Sequence, residues 1–71
     1  MRNTTKLKAI LTKFTVTLDL TTDGELTLIL MDKETLDEGT DIYGKSYSEV
    51  IRKAYAYYKR RLKAEADNSS D

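Results

Sequence analysis

The chain has 71 residues, balanced formal charge, and neither Cys nor His. One small domain of this size buries only about 60% of the surface of its unfolded chain. The composition excludes disulfide staples, thiolate zinc sites and histidine-based general acid–base chemistry. Self-association or a larger partner is therefore an expected source of further stability. The charge is segregated along the sequence: residues 1–18 are basic, 19–49 strongly acidic, 50–64 basic and the last seven acidic. Such a pattern excludes a uniformly basic nucleic-acid binder but leaves a basic or an acidic face free to steer a partner. No apolar run nears the roughly 20 residues that span a bilayer, and no signal-peptide core is present. A cytoplasmic location is expected.

In chain order, residues 1–12 are ambiguous. Leu7, Ile10, Leu11 and Phe14 fit a helical turn, whereas Ile10, Thr12 and Phe14 fit an extension of the strand that follows. We expect a strand from about Lys8, with residues 1–7 flexible. Phe14, Val16, Leu18 and Leu20 then alternate with Thr15, Thr17 and Asp19, the period-two signature of a half-buried strand. Leu26, Leu28 and Leu30 repeat it after Asp23-Gly24, a strong hairpin signal. A two-residue loop would set the two apolar faces against each other's polar faces. A three-residue loop, a type I turn closed by Gly24 in the left-handed region, pairs Leu20 with Leu26, Leu18 with Leu28 and Val16 with Leu30. A one-residue slip flips every side chain, so only the three-residue loop builds a core.

Residues 32–39 read as an acidic turn, and Thr40 to Tyr43 as a short third strand. Ser46-Tyr47-Ser48-Glu49 has the S-x-x-E form of a capping box. It predicts a helix from Tyr47 to about Ala64, with Tyr47, Val50, Ile51, Ala54, Tyr55, Tyr58 and Leu62 as its apolar stripe. Residues 65–71 are expected to be flexible. The predicted fold is α+β: a single domain over 1–71 with a two- or three-stranded antiparallel β-meander packed on one C-terminal helix, β-β-β-α. Exposed sheet edges in so narrow a sheet invite homodimerisation by sheet extension.

Residues Gly39 to Ser46 match the phosphate-loop pattern G-x-x-x-x-G-K-[ST]. A working phosphate loop joins a strand to a helix in a parallel sheet. Here the preceding segment is an acidic loop, the strands are antiparallel, and nothing follows the helix to complete such a sheet. The same letters serve as an entry into a capped helix, so we expect no enzyme and no cofactor. A weaker alternative is that Lys45 and the helix N-terminus hold a single anion.

Five tyrosines fall between Tyr43 and Tyr58, interleaved with cations. Aromatic-plus-cation surfaces bind single-stranded nucleic acid, so Arg52, Lys53, Tyr57, Lys59, Arg60 and Arg61 are candidate partner-binding residues, with Tyr57 expected to be exposed at an interface. Core tyrosines with wet hydroxyls and an ordinary solvated basic face are the simpler alternative. Asp32, Glu34, Asp37, Glu38 and Asp41 form a candidate acidic patch that could mimic nucleic acid toward a partner. They lack calcium-loop spacing, and no metal is expected.

From Phe14 to Leu62 the order of features resembles the HicB-type antitoxin domain. The counterparts are the strand start Phe14-Thr15-Val16, the turn Asp23-Gly24, the second strand Leu26–Met31, and the helix start Gly44-Lys45-Ser46-Tyr47-Ser48-Glu49-Val50 followed by Ala54. The resemblance implies a β-β-β-α architecture and an antitoxin-like regulatory role. The expected function is thus a small non-catalytic protein-interaction or regulatory module. A nucleic-acid-binding module and an acidic inhibitor are the alternatives.

Overall fold

A computed structural model describes residues 2–35 and 38–68. The elements run α1 (Asn3–Leu11), β1 (Phe14–Leu20), β2 (Leu26–Asp32), β3 (Glu38–Gly44) and α2 (Tyr47–Asn68). The three strands form one antiparallel sheet in the order β1-β2-β3. Both helices contribute to one core on a single face of it. The fold is α+β, as the alternating strands and capped helix predict, with an N-terminal helix added.

That added helix corrects the expected strand from Lys8. Alone, nine residues are too few to hold a helix in water, and no side chain caps the α1 N-terminus. Docking supplies what propensity lacks. Ile10 is wholly buried, and Leu7 packs beside it against the core. The other end is capped by the Thr12 hydroxyl, which donates to the Ala9 carbonyl at 2.6 Å, and by the Lys33 ammonium on the Leu11 carbonyl. The start of α1 is tied down as well, since Asn3 Nδ2 donates to Ser48 Oγ at 2.9 Å. Residues 3–7 are therefore helix rather than a loose end. At the other terminus, α2 continues past Ala64 through Glu65, which is held by Lys13 and Arg61. Residues 69–71 of the expected flexible tail, with Met1, Leu36 and Asp37, lie outside the described residues.

The hairpin has the expected register: Leu20 opposite Leu26, Leu18 opposite Leu28, Val16 opposite Leu30. Thr21 N–H donates to the Glu25 carbonyl at 2.8 Å and Gly24 N–H to the Thr21 carbonyl at 3.0 Å, with Gly24 at φ 85°. This is the three-residue turn with glycine in the left-handed region. The third strand is longer than Thr40–Tyr43 and carries an irregularity opposite Leu30 and Met31, where Gly39 is the extra residue.

The core comprises Ile10, Phe14, Leu28, Leu30, Ile42, Val50, Ile51 and Ala54. Burying each large aliphatic or aromatic member contributes about 1.5–3 kcal/mol. Gly44 lets α2 approach the sheet closely: a Cβ there would lie 2.9 Å from Val50 Cγ1 and 3.1 Å from Glu49. The capping box forms with one shift from the expected pattern. Ser46 Oγ accepts the Glu49 N–H at 3.1 Å, but the Glu49 carboxylate accepts the Lys45 N–H at 3.0 Å instead of that of Ser46.

Candidate interaction surface

The phosphate-loop match falls on extended backbone. Gly39 to Gly44 belong to β3, so their N–H groups cannot wrap a phosphate. The helix N-terminus is closed from within, because Glu49 occupies the place an anion would take beside the Lys45 N–H. That contact, followed by Lys53, holds the Glu49 carboxyl below its ordinary pKa.

The basic candidates divide into three groups. Arg52, Lys59 and Arg60 are exposed on α2. Lys53 is occupied by Glu49 at 3.0 Å and by the Tyr43 carbonyl at 2.9 Å. Tyr57 and Arg61 are turned inward, which corrects the expected exposed interface tyrosine. The Tyr57 ring packs on Phe14 with centroids 5.9 Å apart, its hydroxyl donates to the Gly39 carbonyl at 3.2 Å, and it accepts from Arg61 Nη1 at 3.2 Å.

The acidic candidates do not form one patch. Asp32 is buried at 2% exposure on the helix-facing side. Its Oδ1 accepts the N–H groups of Glu34 at 2.8 Å and Thr35 at 3.2 Å, and its Oδ2 lies 3.6 Å from Arg61 and 3.8 Å from Lys13. Those backbone donors, then the two cations, hold its carboxyl below the ordinary range. Glu34 is exposed in the turn that Asp32 organises. Asp41 stands opposite Ile29 on the other face of the sheet. Glu38 starts β3, and Asp37 lies outside the described residues. Among the described residues no acidic cluster has the form of a metal site. Alternation along Leu26, Leu28, Leu30 and Asp32 was the available signal that Asp32 faces inward, and the acidic composition around it obscured that signal.

Two surfaces that the sequence only hinted at become definite. The first is the helix layer. Lys6 and Lys8 of α1, with Arg2 just before it, join Arg52, Lys59, Arg60 and Lys63 of α2, whereas Asp19, Asp23, Glu25 and Asp41 lie on the strands and the hairpin turn, and Lys13, Lys33 and Lys45 in the other connections. Lys6 and Lys59 both lie over the Tyr55 ring, at 6.0 and 5.6 Å from its centroid, and Tyr55 stacks on Tyr58. Lys6 belongs to this cluster only because residues 3–11 are helical.

The second is the free edge of β1. The Lys33 N–H donates to the Lys13 carbonyl and the Thr21 N–H to the Glu25 carbonyl. In an antiparallel ladder these bonded pairs recur at every second residue. Odd-numbered residues of β1 therefore bond to β2, and Phe14, Val16, Leu18 and Leu20 direct their backbone groups to the free edge. The same phase carries even residues of β2 to β3 and leaves Asp41 and Tyr43 facing outward there. On β3 the helix caps two carbonyls of the edge, with Tyr57 on the bulged Gly39 carbonyl and Lys53 on the Tyr43 carbonyl, and among the described residues no side chain reaches the outward groups of Asp41 between them. On β1 the Leu20 N–H is taken by the Asp19 carboxylate at 2.9 Å. Among the described residues no side chain reaches the outward groups of Val16 or Leu18. Leu18 and Leu20 are also 47% and 63% exposed.

Comparisons with protein-family models, with curated proteins and with solved structures found no match to this chain. Among the described residues no helix is long and apolar enough to cross a membrane.

Proposed function

We propose that this chain is a non-catalytic protein-interaction module that recruits its partner by β-strand addition along β1. The observation that carries this is the free edge at Val16 and Leu18 beside exposed Leu18 and Leu20, on a sheet whose other edge has two of its carbonyls capped by helix side chains. Strand addition takes affinity from main-chain hydrogen bonds and specificity from alternate side chains. The edge also lacks the usual defences: β1 has no Pro and no Lys, and its one charge is Asp19. The resemblance of Phe14–Leu62 to HicB-type antitoxins supports a regulatory role for such an interaction.

The test is Leu18→Pro. Proline removes an N–H that points to solvent and spares the ladder to β2, a position an edge strand tolerates. We expect the variant to keep its circular dichroism spectrum and lose its partner in affinity purification. Capture of the same partner by the variant would overturn strand addition.

A second reading is nucleic-acid binding by the helix layer, favoured by the convergence of Lys6, Lys59, Tyr55 and Tyr58 across α1 and α2. It predicts binding to a single-stranded oligonucleotide that weakens linearly in log–log form as salt rises, with a shallower slope for Lys59→Gln. No binding at low salt would remove it. The acidic-inhibitor alternative loses its geometric support once Asp32 and Asp41 lie on opposite faces.

A further inference from the structure

We propose that the strand added to β1 is β1 of a second copy, antiparallel about a two-fold axis at Leu18; this rests on the strand-addition reading. Antiparallel edges bond through their outward-facing residues, and in β1 these are the even-numbered ones. Any β1–β1 pairing must therefore set even residues against even ones, which keeps the helix-facing side of one copy continuous with that of the other. Few axes remain. An axis at Asp19 sets two carboxylates directly across from each other, which is destabilising. An axis at Thr17 runs the pairing back to Phe14, which is already buried under α1 and α2.

An axis at Leu18 uses only the half of β1 that the helices leave uncovered. Leu18 then meets Leu18 of the second copy, Leu20 meets Val16, and Asp19 meets the hydroxyl of Thr17. A two-fold axis places a residue against itself, so it tolerates an apolar residue there and disfavours a charged one. The exposed Leu18 and Leu20 are covered by the same contact, which gives partners to the outward groups of Val16 and Leu18, while the Leu20 N–H exchanges the Asp19 carboxylate for the Val16 carbonyl of the second copy. The two-fold pair uses up both β1 edges, so the combined sheet is bounded at both ends by β3, where Lys53 and Tyr57 cap the Tyr43 and Gly39 carbonyls. A contact of five residues per copy lies at the small end of protein interfaces, so dissociation in the range of about 10–100 µM is expected.

The natural absence of Cys permits a direct test by single substitutions in the full chain. Leu18→Cys places two thiols on residues about 5.5 Å apart at Cα, within disulfide reach. Leu20→Cys or Val16→Cys alone places them about 13 Å apart. Under mild oxidant at about 200 µM protein, Leu18→Cys should cross-link at least about tenfold faster than either, and a mixture of Val16→Cys with Leu20→Cys should yield the mixed dimer. Equal rates for the three single variants would overturn the pairing. Sedimentation of the unsubstituted chain separates the remaining cases. If it is monomeric to about 500 µM while Leu18→Pro still abolishes capture of another protein, self-pairing fails and strand addition stands. If it is monomeric and Leu18→Pro captures as before, both fail. A dimer that Leu18→Pro leaves intact uses another surface and overturns self-pairing, and strand addition then stands or falls with capture by the same variant.

Discussion

β1 and β3 are equal in length and both flank β2, yet only β3 has outward carbonyls capped by side chains of a helix. The difference comes from where the helices lie. α2 leaves β3 through a two-residue turn at Lys45 and Ser46 and runs back along it, so Lys53 and Tyr57 hang over its outward carbonyls. α1 packs at the start of β1, and the strand outruns it: burial falls from complete at Phe14 to 47% exposure at Leu18 and 63% at Leu20. An edge in this fold is protected by a long helix that returns along it, and a short helix protects only the residues next to its own connection.

The largest effect should separate the two halves of β1. Phe14→Ala removes a wholly buried ring that touches Tyr57, and such truncations cost about 3–5 kcal/mol. That equals the whole stability expected of a core this small, so the variant should be largely unfolded by circular dichroism in the absence of denaturant. Leu18→Ala, at a half-exposed site, should cost less than about 1 kcal/mol by urea denaturation. Similar losses at the two positions would mean that the whole of β1 is covered, and the contrast with β3 would fall.

Next comes the pH dependence of the covered end of β1, where Asp32, Lys13, Arg61 and Glu65 join β2, the start of β1 and α2. Asp32 is held below its ordinary pKa by the Glu34 and Thr35 N–H groups and then by Lys13 and Arg61. Glu65 is lowered chiefly by its hydrogen bond from Lys13. Both carboxylates release their protons more readily in the folded chain, so the unfolded chain binds more protons in acid. Their contribution is present above the unfolded carboxylate range near pH 4 and is lost as pH falls through the lower folded values. Asp32→Asn should lower the melting temperature at pH 7 and flatten its decline between about pH 5 and 2. Melting curves that shift by the same amount at every pH would show that the Asp32 charge is not what closes this end.

Where the sequence was legible, the physics was local. The register of β1 on β2 follows from alternation and one glycine, and the start of α2 from Ser46 and Glu49. Where it misled, tertiary packing decided. In α1, Leu7 and Ile10 are too few to distinguish a helix from a strand until α2 is there to receive them. Tyr57 sits at the margin of the apolar stripe, and only the position of Gly39 on β3 shows that its hydroxyl has an inward partner. Arg61 and Asp32 are far apart in a sequence crowded with charge, and nothing in composition pairs them. The β1 edge was expected only as one of two edges, because both strands read alike until the path of α2 is known.

Smaller effects should come from opening the closed edge. Tyr57→Phe removes a hydroxyl that donates to Gly39 and accepts from Arg61, and should cost about 0.5–1.5 kcal/mol in urea denaturation. A loss near zero would mean that water replaces the hydroxyl and that this part of β3 is already accessible.

Lys53→Met should cost least, about 0–1 kcal/mol, because its ion pair with Glu49 is exposed and the methionine keeps the packing of the stem. Its consequence for assembly should be greater than its consequence for stability. Lys53 caps the outward carbonyl of Tyr43, and Tyr43 is itself 50% exposed. Removing the ammonium leaves an uncapped carbonyl beside an exposed aromatic ring, the condition already present at Leu18. With both edges open, association no longer stops at a two-fold pair, since each copy can add a strand on either side. Sedimentation of Lys53→Met combined with Tyr57→Phe should therefore reveal species larger than those of the unsubstituted chain at equal concentration, and Leu18→Pro added to that background should cut them back. If the combined variant keeps the size distribution of the original, side-chain capping is not what closes β3, and the overlying backbone of α2 must exclude a neighbouring strand by itself.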